Sequence, residues 1–320
     1  MNARRTYVLV ALAAVGTAAL VVGLVAFTRT SPRAAAETST TTSGRAPALV
    51  LDLGLRTDPE AVALRRANRL YSAGRRRAAG RIFARYASVE AQVGAALSAW
   101  PDGTLARLDE LAAAHRSSGV VLLHVGLAQV ASGKTNAAEA AWRKVVARDP
   151  DSEAAVQAES LLHPRFAPGK PPFVPSFGIP AQVARLSPAR QLAALERAAR
   201  ARDVKAMLLY GSALQRLGRP VSAERQFATA ARLAPADPEA QTAAAVGLFS
   251  KAKPELAFSR LGPLAPRFPR SQSVRFHLGE LLLWIGQLDK ARQELRLARR
   301  VGPSTPLGRT AAEFLAKLPS

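Results

Sequence analysis

Residues 204–237 read VKAMLLYGSALQRLGRPVSAERQFATAARLAPAD, and residues 272–305 read QSVRFHLGELLLWIGQLDKARQELRLARRVGPST. The second stretch begins 68 residues after the first, and its landmarks keep that spacing. Gly211, Gly218, Ala223, Phe227, Ala230 and Pro235 are matched by Gly279, Gly286, Ala291, Leu295, Ala298 and Pro303. Between them a looser copy starts at Pro238, with Ala245, Ala252, Ala257, Leu261, Leu264 and Pro269, so the true period is 34 residues. An earlier copy at Gly119 carries Gly126, Gly133, Ala138, Trp142, Val145 and Pro150. All four units have small residues at positions 8 and 20, a bulky apolar residue at 24 and a proline at 32, and three of the four have glycine at 15.

This arrangement resembles the tetratricopeptide repeat family, of the membrane-anchored bacterial type. The resemblance implies an all-α fold, a right-handed superhelical solenoid of helix pairs. It also implies that the small residues at positions 8 and 20 let the two helices of a unit approach, that the bulky residue at 24 fills the gap and that the proline at 32 stops the second helix. An N-terminal transmembrane helix is expected from the apolar run at 7–27. Three tandem units span 204–305, and a final helix over 306–318 is expected to cap the open end. Upstream, residues 58–152 read as further repeat-like pairs. Asp58-Pro59 forms an N-cap and first helical position, and Ala67, Leu70, Gly74, Ala79 and Phe83 follow in register. Over 88–118 a shorter pair is expected, turning at Trp100-Pro101-Asp102-Gly103.

The stretch 153–203 is expected to be a repeat with about 17 residues inserted (163–186) between a first helix (EAAVQAESLL) and a second that starts at Ser187-Pro188. The insert, HPRFAPGKPPFVPSFGIP at its centre, holds six prolines and three phenylalanines. Proline this dense runs as open, polyproline-like chain. Either it links two half-arrays, or it is an ordered flap that gives Phe166, Phe173 and Phe177 apolar cover.

Composition agrees with helices. The 320 residues are 48% apolar but only 6% aromatic, unlike a β-sandwich. With no cysteine, disulfides and thiolate chemistry are excluded. The formal charge of +22, from 45 basic and 23 acidic residues, is mostly arginine. It reflects either coding composition or a partner bearing phosphates, carboxylates or anionic headgroups.

Tyr7 to Phe27 is an uncharged apolar run of 21 residues, about 31 Å as a helix, and matches a bilayer core of roughly 30 Å. Residues 1–6 are expected to be a cytoplasmic tail, 7–27 a transmembrane helix and 28–57 a disordered Ser/Thr-rich tether. Arg4 and Arg5 favour a cytoplasmic N-terminus, opposed by Arg29 and Arg33. A cleaved signal peptide ending at Ala34-Ala35-Ala36 is the rival reading. Both put most of the chain outside the cytoplasm, and the first makes it a single-pass protein of the cell membrane.

Two catalytic motifs have partial matches. Ala128 to Thr135 (AQVASGKT) fits a permissive phosphate-loop pattern, but it lies in a repeat helix and turn rather than after a strand. Ser250-Lys-Ala-Lys253 fits S-x-x-K without its companion motifs. The four histidines are scattered, with His124 and His277 both at unit position 6, facing the groove. The reading is therefore non-enzymatic, with no metal and no cofactor.

Groove residues carried over from the family fall at positions 2, 5, 9, 12 and 13 of each unit. They are Lys205, Leu208, Ser212, Gln215 and Arg216; Glu239, Thr242, Val246, Phe249 and Ser250; and Ser273, Phe276, Glu280, Leu283 and Trp284. The resemblance implies a protein or peptide partner held there. The carboxylate clamp of chaperone-binding members is absent, since no Asn stands at position 9. Arg65, Arg66, Arg69, Arg75, Arg76 and Arg77 form a basic cluster toward the membrane end, suited to anionic lipid or envelope polymer. The alternative function is polyanion binding through arginine-rich surfaces. Nucleic acid is disfavoured, because aromatics do not interleave with the arginines.

Overall fold

The computed structural model describes residues 45–319. The expected tail, transmembrane helix and residues 28–44 of the tether lie outside them, and among the described residues no helix is long and apolar enough to cross a membrane. The described chain is all-helical and divides into two compact units between Asp149 and Pro150.

The first unit stacks six helices: α1 (Pro59–Ser72), α2 (Arg76–Phe83), α3 (Val89–Ser98), α4 (Thr104–Ala114), α5 (Gly119–Ala131) and α6 (Thr135–Arg148). Each packs on the next, as chain-neighbouring hairpins should. The Asp58 carboxylate accepts the Ala61 N–H at 3.0 Å, as its place before Pro59 suggested, and Gly103 (φ 65°) makes the turn into α4.

Residues 45–57 depart from the tether expectation. Pro47, Leu49 and Leu53 are buried, Tyr71 Oη donates to the Pro47 carbonyl at 2.6 Å, and Arg65 donates to the carbonyls of Gly54 and Arg56. Apolar side chains at alternating positions give this part of the chain something to bury, which the Ser/Thr run before it lacks.

In the second unit α7 (Glu153–Leu162) leads into the proline-rich segment. A short turn, α8 (Ala181–Ala184), precedes α9 (Pro188–Arg200). Three hairpins follow: α10 (Val204–Arg216) with α11 (Pro220–Leu233), α12 (Pro238–Gly247) with α13 (Glu255–Leu261) and α14 (Leu264–Arg267), and α15 (Gln272–Trp284) with α16 (Leu288–Val301). α17 (Pro306–Lys317) covers the last pair, burying Leu307, Ala311 and Phe314.

The repeat logic is visible atom by atom. A Cβ built on Gly126 would lie 2.3 Å from Trp142, one on Gly211 2.3 Å from Phe227, and one on Gly279 2.8 Å from Leu295. The three pairs share one 16-residue offset, with the position-8 glycine under the position-24 side chain. Gly133, Gly218 and Gly286 end their first helices with φ between 68° and 83°. In each case the next amide bonds back to the carbonyl five residues earlier. The middle unit has Ala252 at that point, and its first helix stops early, at Gly247. Its second helix is interrupted at Gly262-Pro263, where proline removes a donor.

The expected hairpin within 153–203 does not form. α7 and α9 are not packed as a pair. Instead, the stretch 151–159 meets the inter-helix turns of the repeats. Asp151 accepts the N–H groups of Val221 and Ser222, and Glu159 accepts from Ser250 and the Lys251 N–H. Asp151, half-buried, satisfies amides that the start of α11 leaves orphaned, and the buried Glu159 serves the turn between α12 and α13.

Candidate functional site

The first helices α10, α12 and α15 of the three hairpins present the groove residues, and the proline-rich segment lies across them as a strap. It runs without helix or turn from Lys170 to Pro175. The insert is an ordered flap rather than a linker.

Phe173 is the strap's anchor, only 2% exposed. Its ring meets Phe227 edge-on at 5.3 Å and stacks on His277 at 5.0 Å. Its N–H donates to Gln215 Oε1 at 2.9 Å, and its carbonyl accepts from Ser212 Oγ at 3.2 Å. The next amide, Val174, donates to His277 Nε2 at 3.0 Å. Ser176 donates its N–H and hydroxyl to the Glu239 carboxylate. Phe177 lies under the Lys205 ammonium, 5.6 Å from its ring centre. Phe166 stays half-buried beside Arg165, outside the core the other two rings join.

A polar clasp fixes the strap's leading end. Lys170 pairs with Glu159 at 3.2 Å and donates to the Phe249 carbonyl at 3.3 Å. Ser160 Oγ accepts both the Gly169 N–H and the Lys251 ammonium. Burial pulls Lys251 down to about 7, against the pull of Glu159. Burial disfavours the Glu159 carboxylate, yet Lys170 and the donated hydrogen bonds hold it below its ordinary range. The S-x-x-K match therefore dissolves: Ser250 caps Glu159, Lys253 is exposed, and Lys251 is the buried amine.

The groove residues separate into floor and rim. Leu208, Ser212, Phe249, Phe276 and Glu280 are buried, Trp284 is half-buried, and Lys205 and Arg216 are exposed. Phe276 packs between His277 and Phe314, and Phe249 meets Trp284, so both belong to the core as well as to the groove. Glu280 Oε2 has no hydrogen-bond partner, and burial raises the carboxyl to about 8, so it is held as the neutral acid at pH 7.

The first unit repeats the device. His124, at unit position 6 like His277, accepts the Val50 N–H at Nε2 (3.0 Å) and bonds the Val120 carbonyl through Nδ1. The six arginines of the basic cluster differ in their settings. Arg65 and Arg76 hold backbone carbonyls, while Arg66, Arg69, Arg75 and Arg77 are exposed and in no ion pair among the described residues. The phosphate-loop look-alike ends α5, and Gly133 is its helix-stop residue. No group of three or more metal-binding side chains occurs among the described residues.

The tetratricopeptide repeat profile matches residues 120–152, which cover α5 and α6. Residues 120–152 are a tetratricopeptide repeat. No curated protein matches the chain in sequence. Among solved structures, yeast Tom70 is similar at 13% identity and a TM-score of 0.35, over 85% of this chain and 51% of that one. The chain thus spans about half the length of Tom70. A tetratricopeptide repeat protein from Parabacteroides merdae is similar at 12% identity and a TM-score of 0.34, over 81% of this chain and 98% of that one. The TPR2AB domain of yeast Sti1, solved in complex with pHSP90, is similar at 13% and 0.29, over 81% and 97%. The profile match covers one repeat, and the 16-residue glycine-to-bulk pairing of that repeat recurs at Gly211–Phe227 and Gly279–Leu295.

Proposed function

We propose that this chain is a non-enzymatic scaffold, fixed to a cell membrane by residues 7–27, that holds a protein or peptide partner on the first-helix face of its repeats. One observation carries the reading: that face already grips an open polypeptide through side-chain bonds to its backbone and one aromatic socket. Gln215, Ser212, His277 and Glu239 bond amides, a carbonyl and a hydroxyl that any open chain containing a serine could supply. On this reading the bulk of the chain lies outside the cytoplasm, and the exposed Arg66, Arg69, Arg75 and Arg77 offer charge to anionic headgroups, each worth about 1 kcal/mol close to such a surface.

Crosslinking in intact membranes, followed by purification of the full chain, tests this. A specific protein should be recovered with the native chain and depleted by Arg216→Glu, an exposed rim change that leaves the core and the strap's contacts alone. Recovery unaffected by that change would remove the groove from the reading. A C-terminal reporter found in the cytoplasm would overturn the placement.

A further inference from the structure

We propose that the strap, residues 170–177, is a built-in ligand that closes the groove, and that the partner's contact is an open, proline-interrupted segment which presents a phenylalanine to the Phe173 socket and takes the strap's place. This rests on the groove reading above and adds the ligand's chemistry and the means of its control.

The strap has the features of a ligand rather than of a repeat element. It contributes no helix to the stack, and residues 173–176 meet the repeats through polar contacts between side chain and backbone or between side chains. Pro171, Pro172 and Pro175 have no amide to donate, so the segment forms no helix or sheet ladder of its own and its remaining donors are free to bond outward. The donors that remain at Phe173, Val174 and Ser176 all end on groove side chains. The groove supplies one deep socket, lined by Phe227 and His277, and otherwise reads backbone. That recognition specifies an aromatic residue on an open chain and little else.

The same device occurs in the first unit, which makes coincidence a poor account. There the amide of Val50, on the segment that leads in from the N-terminal side, ends on the Nε2 of His124, with Pro47, Leu49 and Leu53 buried around it. In each unit an imidazole at position 6 of a first helix faces the groove with a bare acceptor nitrogen. A backbone N–H of a proline-containing segment meets it.

The strap is also tied down at an end that can be released. Lys170 is the segment's own cation, and its pairing with Glu159 and the Phe249 carbonyl sets where the chain enters the groove. Past Phe177 the chain is mostly exposed until α9, so the trailing end carries little hold. Such a segment opens from its trailing end by local rather than global unfolding.

The test uses the full chain and a fluorescein-labelled peptide of residues 168–179 (PGKPPFVPSFGI). Phe173→Asp in the protein empties the socket. The expected result is peptide binding at least tenfold tighter to the Phe173→Asp chain than to the native one, abolished when the peptide carries the same change. Equal binding to both chains, or no binding to a Phe173→Asp chain that keeps its helical circular dichroism, overturns the proposal. Should that variant fail to fold, hydrogen exchange of the native chain decides. Amides of Phe173, Val174 and Ser176 exchanging at least a hundredfold faster than those of α10 and α15 support a displaceable strap, and exchange in step with them overturns it. A groove that takes the peptide while membranes yield no partner would count against the scaffold, not the strap. A recovered partner with a strap that never opens would do the reverse.

Discussion

His277 Nε2 accepts the backbone N–H of Val174 at 3.0 Å, across 103 residues of chain. An amide nitrogen can only donate, so Nε2 must be bare and the ring proton must sit on Nδ1, where it meets the Ser273 carbonyl at 2.8 Å. The imidazole is thus fixed in one tautomer and one charge state by two backbone groups. His124 is fixed in the same way by Val50 and Val120. Both rings are fully buried, which pulls their pKa values down to about 4 and keeps them neutral.

Removing the acceptor should loosen the strap. His277→Leu leaves the Val174 N–H unserved in a partly buried position and removes the ring stacked on Phe173, a loss of about 1–3 kcal/mol. Urea unfolding of the full chain should show the midpoint shifted accordingly. An unchanged midpoint would mean that water replaces the imidazole at no cost.

The acid and alkaline limbs of stability should have different owners. His124 and His277 have lowered folded pKa values, so their contribution is complete above their unfolded value near 6.5 and is lost as pH falls through about 4. Glu280 is raised to about 8, so its contribution is complete below 4.5 and is lost as pH rises through 8. The stability of the native chain relative to Glu280→Gln should therefore fall between pH 5 and 8, measured by chemical denaturation of both proteins at each pH. The same slope in both proteins would place the Glu280 carboxyl in a solvated setting.

How far the fold could be read beforehand depended on how local its causes were. The 34-residue spacing, the glycine-to-bulk pairs, the Asp58 cap and the glycine helix stops all act within one hairpin, and the structure has each of them. Position 6 histidines facing the groove were visible too. What they bond was not, since Val174 and His277 meet only through the tertiary path of the insert. Nor does the sequence near Lys251 signal its burial, because Glu159 and Ser160, which it meets, lie some 90 residues away. Helix α7 misled for a related reason: its apolar pattern suits any helix, and only the carboxylates of Asp151 and Glu159 mark the turns it rests on. The groove list mixed floor and rim because a position number gives direction but not depth.

Close approach of paired helices should be intolerant of even one carbon. Gly211→Ala puts a Cβ 2.3 Å from the Phe227 ring, which itself supports Phe173, and should cost about 1–3 kcal/mol through forced repacking. Gly133→Ala meets no atom within 4 Å and should cost only about 1 kcal/mol, for its positive φ. Thermal unfolding that ranked the two in the opposite order would contradict the packing.

The clasp should respond to charge. Glu159→Gln keeps an acceptor for Ser250 and the Lys251 amide but removes the anion facing Lys170 and Lys251, whose side chains are largely withdrawn from solvent. A loss of about 1–3 kcal/mol is expected, together with faster proteolysis between Arg165 and Phe177. Cleavage there at the native rate would show that the clasp does not hold the strap.

The central claim is that residues 170–177 lie in the groove of their own repeats, and the absence of native cysteine makes it directly measurable. In a chain carrying Ser176→Cys and Glu239→Cys, a short bis-maleimide should join the two thiols within one molecule, rapidly and in most of the sample. Single-cysteine chains should give no such product. Failure of the double variant to crosslink internally, with both thiols reactive and the helices intact, would contradict the account.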